Sequence, residues 1–292
     1  MTIYDTRNNL VEPRSSTVVA DDGRELRATR FEPVVGGEDA RGAVVLVPAM
    51  ATPARFYAAF ATWLAESGFH VLTFDYRGTG SVAEMKAERG DVLRWAGDAA
   101  SALESLLDED LGLPVTWIGH SLGGQLLPFA RHDLLDRALL VAAGSGYWRY
   151  NQPSIRWRAP LLFRVVGPLV MRAAGYFPGR RLGLLGDAPS AAMRQWSRWC
   201  LSPDYYGVDV PDLGARLAEL DLPIAALSFT DDELLSARSH QALEEMYAAA
   251  PVEPHRLAPS DLGVDRIGHH GFFRANMRPA WDQTVLPLLA TR

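Results

Sequence analysis

Five short apolar runs limit what this chain can fold into. They are "AVVLVPA" (43–49), "FHVLTFDYRG" (69–78), "LPVTWIG" (113–119), "RALLVAAGSG" (137–146) and "LPIAALSFTDD" (222–232). Each is continuous rather than alternating, the pattern of a strand buried on both faces. Helical patterns separate the early runs: "ARFYAAFATWLAESG" (54–68), "VLRWAGDAASALESLLDEDLG" (92–112) and a stretch from about Leu122 to His132. A parallel pair of strands needs a crossover, and a helix supplies it, so this alternation predicts an α/β fold with a mostly parallel central sheet covered by helices on both faces. A hairpin over 16–33, turning at Asp22-Gly23, precedes the runs. A helix around 236–250, a strand at 252–259 and an aromatic, helical C-terminal segment complete the pattern.

The alternation stops after the fourth run. Residues 147–212 are rich in Trp, Arg, Pro and Gly and show only short helical patterns. We therefore expect an α/β core from residues 1–146 and 213–292, interrupted by a helical cap over 147–212. With 292 residues, 48% of them hydrophobic, the chain can bury a core of that size.

Charge and cysteine content exclude several roles. A net charge of −6 carries no nucleic-acid footprint. The lone Cys200 cannot form an internal disulfide, which points to a reducing, cytoplasmic setting. "MTIYDTRNNLVEPRSS" lacks the apolar centre of a secretory leader. The longest apolar stretch, 161–177, is broken by Arg164 and Arg172, so no integral membrane segment is expected.

The third run leads into "GHSLGG" (119–124), a G-x-S-x-G pattern around Ser121. Alone it would arise by chance in roughly one chain in ten of this composition. Between a buried strand and a helix it gains chemical meaning. A tight strand-to-helix turn holds the serine in a strained conformation, exposes its hydroxyl and points the helix's free N–H groups at the site. Ser121 is the expected nucleophile. A serine nucleophile needs a base, and the base needs an orienting carboxylate.

On "GHSLGG", "FDYRGTG" and the late Asp and His segments, the chain resembles the α/β-hydrolase superfamily, serine-hydrolase type, over about residues 16–290. It looks most like a bacterial branch with an "IGHxGFF" histidine motif, related to serine-aminopeptidase-like and lysophospholipase-like hydrolases. The resemblance implies the order Ser, acid, His along the chain. The acid then lies in "TDDELLS", where Asp231 and Asp232 both qualify. Against the family turn G-x-x-D, Phe229 takes the glycine position and Asp232 that of the acid, which leaves Asp231 as a helix N-cap or first-turn acid. "IGHHGFFR" offers His269 and His270; the motif makes His269 the base and His270 the variable position. The oxyanion donors implied are the backbone N–H groups of Leu122 and Met50, with Pro48-Ala49-Met50-Ala51 standing where many relatives have His-Gly. Asp75 and Arg77 are expected to hold turns, and His120 to be structural. His70, His132, His240 and His255 read as strand-start or surface residues.

Residues 145–200 hold nine arginines, one acid (Asp187) and four tryptophans, a net +8 that leaves −14 for the remainder. Trp148, Arg156, Trp157 and Arg158 are candidates for an acyl pocket with an anion-binding rim. Tryptophan-packed helices with solvated arginines are the simpler alternative. The expected function is hydrolysis of an ester or other acyl substrate, hydrophobic and carrying a nearby negative group, through an acyl-enzyme. An acyltransferase with the same triad and a non-catalytic binding protein are the alternatives. A small-molecule substrate is the expected partner, with peripheral contact to anionic lipid as an option. No cofactor is implied, and no HExxH or similar spacing calls for a metal.

Overall fold

A computed structural model of the chain describes residues 11–34, 40–107, 111–184 and 186–290. Eight strands form one sheet: β1 Arg14–Val19, β2 Glu25–Phe31, β3 Gly42–Val47, β4 Phe69–Phe74, β5 Val115–His120, β6 Arg137–Val141, β7 Ile224–Phe229 and β8 Val252–Leu257. Their order is β1-β2-β4-β3-β5-β6-β7-β8. The hairpin β1-β2 joins β4 antiparallel, and every later pair is parallel. All six residues of β3 and of β5 are buried, as the continuous apolar runs require of strands covered on both faces.

Alternate residues feed two cores. Val45, Val47 and Trp117 face one side, where the helix Val92–Leu107 packs. Val44, Leu46 and Ile118 face the other, against the helix Ala58–Glu66 and the C-terminal residues Phe272, Phe273 and Trp281. This is the period-two alternation of a pleated strand.

The chain between β6 and β7 runs through short helices, among them Gly167–Ala174 and Ser190–Leu201. It packs on the first core through Phe163, Met171, Trp199, Tyr205 and Tyr206. The helix expected to continue to His132 ends at Gln125 and gives way to a 3-10 turn, Leu127–Phe129. Gly123 and Gly124 weaken it, and Pro128 supplies no N–H to carry it on.

Asp75 accepts the Ala54 N–H at 2.8 Å, and Arg77 is buried against Asp98 and Asp22. These bonds tie the hairpin turn, the loop after β4 and the helix Val92–Leu107 together. Among the described residues no helix is long and apolar enough to cross a membrane. The carboxyl ends of β3, β5 and β7 point the same way, and such an edge is where an open parallel sheet collects its functional loops.

Candidate active site

Ser121 follows β5 directly with φ 50° and ψ −111°, a left-handed conformation that a serine adopts only when its surroundings enforce it. Two glycines make the turn possible. A Cβ on Gly119 would lie 2.5 Å from the Gly124 nitrogen, and one on Gly123 would lie 2.1 Å from the Val47 carbonyl oxygen. The elbow therefore packs backbone to backbone on the end of β3. The Ser121 N–H donates to the Val141 carbonyl of β6 at 3.0 Å, and Trp117 Nε1–H donates to the Gly123 carbonyl at 3.0 Å. Main-chain and indole contacts hold the hydroxyl where the turn presents it.

His269 comes from the loop after β8. Its Nε2 lies 2.9 Å from Ser121 Oγ, and its Nδ1 lies 2.8 Å from Asp232 Oδ2. A carboxylate only accepts, so Nδ1 carries the ring proton and Nε2 is left to accept from the serine hydroxyl. Burial pushes the Asp232 carboxyl pKa up, but the His269 imidazole and the N–H groups of Leu235 and Leu234 outweigh it and hold the group below the usual carboxylate value. Asp232 thus stays ionised beneath the imidazole.

Three consecutive acids grip the histidine loop. Asp231 accepts the Ile267 N–H at 2.8 Å, Asp232 takes the ring, and Glu233 accepts the His269 N–H at 3.1 Å. Asp231 is not the helix cap the sequence suggested: Ser236 caps the helix Ala237–Met246. His270 does not reach the serine; it stacks edge-on against His269 at 4.9 Å, and burial followed by the His269 charge lowers its pKa to about 4.

Two further histidines complete the surroundings. His120 is fully buried, and its Nε2–H donates to the His269 carbonyl at 2.9 Å. Its Nδ1 therefore accepts from the Tyr57 hydroxyl at 2.8 Å, and Tyr57 in turn accepts the Ala49 N–H at 2.9 Å. One chain of hydrogen bonds thus links the loop after β3, the elbow and the histidine loop. Burial lowers the His120 pKa well below its usual value, so the ring is a neutral spacer. His240 is buried, not on the surface as expected. Its Nδ1–H donates to the Ala143 carbonyl at 2.7 Å, and its Nε2 faces Asp232 Oδ2 at 3.8 Å. Neither Tyr57 nor Glu233 had a sequence signature: Glu233 acts on the His269 N–H, 36 residues on, and Tyr57 on the Ala49 N–H and the His120 ring.

Met50 and Leu122 are both buried, and their N–H groups donate to no acceptor among the described residues. Unpaired buried donors are uncommon, and that of Leu122 follows Ser121 directly in the chain. Trp148 is half-buried at the edge of the first core. Arg156 covers the ring of Trp157 at 4.9 Å, while Trp157 and Arg158 are exposed in the turn between two short helices. A cavity of about 330 Å³ opens beside the histidine loop, lined by Glu233, Arg266, His270 and Arg274; Ser121 does not line it. Among the described residues no cluster of His, Cys, Asp or Glu is arranged to hold a metal ion.

Strand order and elbow define the α/β-hydrolase fold. The chain belongs to the serine aminopeptidase, S33, family, whose profile matches residues 38–183. That match includes Met50 and Ser121 and ends before Asp232 and His269. No curated protein sequence matches the chain. Among solved structures, a soluble variant of monoglyceride lipase from Saccharomyces cerevisiae, in complex with a substrate analogue, is similar with a TM-score of 0.67 and 15% identity over 99% of both chains. A thermostable carboxyl esterase from Bacillus coagulans gives 0.61 and 13% over 96% of this chain and 100% of its own. An esterase from Exiguobacterium antarcticum gives 0.57 and 15%, over 95% and 100%. At these identities the likeness is one of fold.

Proposed function

We propose that the protein is a serine hydrolase of carboxylic esters that works through an acyl-enzyme on Ser121. The observation that carries this reading is the line Ser121 Oγ, His269 Nε2, His269 Nδ1, Asp232 Oδ2, with gaps of 2.9 and 2.8 Å, below a strained elbow. Ser121 Oγ attacks the acyl carbon while His269 Nε2 takes its proton. The N–H groups of Met50 and Leu122 receive the oxyanion. His269 then protonates the leaving alcohol, and water, deprotonated by the same imidazole, releases the acid. Asp232 keeps the imidazole in the productive tautomer and favours its charged form. Residues 147–212 act as a cap over this core. The similarity in fold to esterases and a monoglyceride lipase makes esters the first class to test.

The test is hydrolysis of p-nitrophenyl esters from acetate to long acyl chains by wild type, Ser121→Ala, Asp232→Asn and Asp231→Asn. Loss of activity is expected for Ser121→Ala and Asp232→Asn, with labelling by a fluorophosphonate abolished only in Ser121→Ala. If Asp231→Asn were as damaged as Asp232→Asn, the assignment of the acid would fall. No turnover and no labelling in the wild type would favour a binding protein. Product formed by acyl transfer to an added alcohol in preference to water would favour an acyltransferase.

A further inference from the structure

The helical run from Pro153 to Ala174 carries two apolar faces, and only one is covered. Ala159, Phe163, Gly167 and Met171 recur every fourth residue and are buried against the first core. Trp157, in the turn that leads into the helix, and Leu161, Val165 and Leu169 share that spacing, offset by two residues, which places them on the opposite side of the run. They are 70, 60, 45 and 63% exposed, and Leu182 and Leu184 follow at 37 and 48%. Isolated exposed leucines are ordinary; an aligned ridge of this kind is an interaction surface.

The charge around the ridge identifies its partner. Residues 145–184 contain seven arginines and no acid. Arg158, Arg164 and Arg172 are exposed on the same run, and none pairs with an acid among the described residues. A second copy meeting this face across a twofold axis would bring arginines against arginines with no acid to offset them. A bilayer with anionic headgroups accepts both features: the ridge enters the acyl boundary while guanidinium groups on long stems remain among phosphates. The net −13 of the remaining chain is repelled by the same surface and orients the molecule with this run inward.

We propose that the exposed face of Pro153–Ala174 docks on an anionic lipid surface. The run adjoins the site. Gln152, immediately before it, donates through Nε2 to the Asp232 carbonyl at 2.8 Å. Beyond it, Gly186 packs so closely on the Ala51 carbonyl that a Cβ would lie 2.1 Å from the oxygen. A docked molecule therefore holds the acid turn and the loop after β3 close to the source of an acyl substrate. That consequence rests on the esterase reading; the docking itself does not.

The full chain is mixed with vesicles of phosphatidylcholine alone or with about a third phosphatidylglycerol, and bound protein is measured by sedimentation and by the tryptophan emission that Trp157→Phe removes. Binding to the anionic vesicles is expected to be at least tenfold stronger, to fall with salt and to shift the emission to the blue. Leu161→Ser with Leu169→Ser, and separately Arg164→Glu with Arg172→Glu, are expected to lower binding at least tenfold while p-nitrophenyl acetate turnover persists. Ser121→Ala should bind as the wild type does, so failure of catalysis and failure of docking separate. Equal binding to both vesicles, no binding, or a dimer in sedimentation velocity that the leucine variant dissolves would each overturn the proposal.

Discussion

Removing one oxygen atom, in Tyr57→Phe, tests the hydrogen-bond chain behind the site. The ring remains, so no cavity forms. Two groups lose their partner: the Ala49 N–H, 2% exposed, and His120 Nδ1, fully buried. A buried polar group left unsatisfied costs about 1–3 kcal/mol, so the pair should cost about 2–6 kcal/mol of folding stability. The effect should also reach catalysis. Ala49 adjoins Met50, whose N–H is one of the two proposed oxyanion donors. Full loss of such a donor costs roughly 10²–10³ in kcat. A displaced loop should cost part of that, about tenfold to a hundredfold, with KM little changed, because the interaction matters most in the transition state. Urea unfolding gives the first quantity and steady-state hydrolysis of p-nitrophenyl butyrate the second. A double-mutant cycle with His120→Asn should show strong coupling, since both substitutions break the same chain. A stability loss below about 0.5 kcal/mol together with unchanged kcat would refute the reasoning, since a single buried unsatisfied group already costs more than that.

Gly123→Ala should cost about 3 kcal/mol or more, or prevent folding, because the new Cβ meets the carbonyl of a fully buried central strand that cannot yield; a normal unfolding midpoint would show the elbow to be looser than described. Asp98→Ala should cost about 3–5 kcal/mol by leaving the buried Arg77 guanidinium with Asp22 alone, as read by denaturant unfolding, while turnover per folded molecule is retained. Stability should fall on acidification. The folded state holds His270 neutral down to about pH 4, whereas the unfolded chain protonates it near 6.5, so its contribution is complete above about pH 6.5 and is lost as pH falls towards 4. His270→Asn should flatten that slope by up to about 3 kcal/mol. His120 and His240 shift in the same direction and keep the remaining slope.

Much of this molecule was written in local pattern. The continuous apolar runs produced β3 to β7 within a few residues, because strands buried on both faces tolerate little else. G-x-S-x-G marked the elbow because a close backbone crossing admits only glycine at Gly119 and Gly123, a constraint visible in one dimension. The pairing of the late residues was not local. Asp231 and Asp232 are adjacent in sequence and chemically alike; which one meets the imidazole depends on how the turn after β7 twists towards a loop more than thirty residues on. Only packing could assign Asp231 to the Ile267 N–H, Glu233 to the His269 N–H, and Tyr57 and His120 to the bridge behind them. The arginine-rich stretch shows the same division. Its charge was plain from composition, but which of its apolar residues face the core and which face outward follows from a helix lying on a sheet. Periodicity names the faces of an element; the neighbour it rests on decides which face is covered.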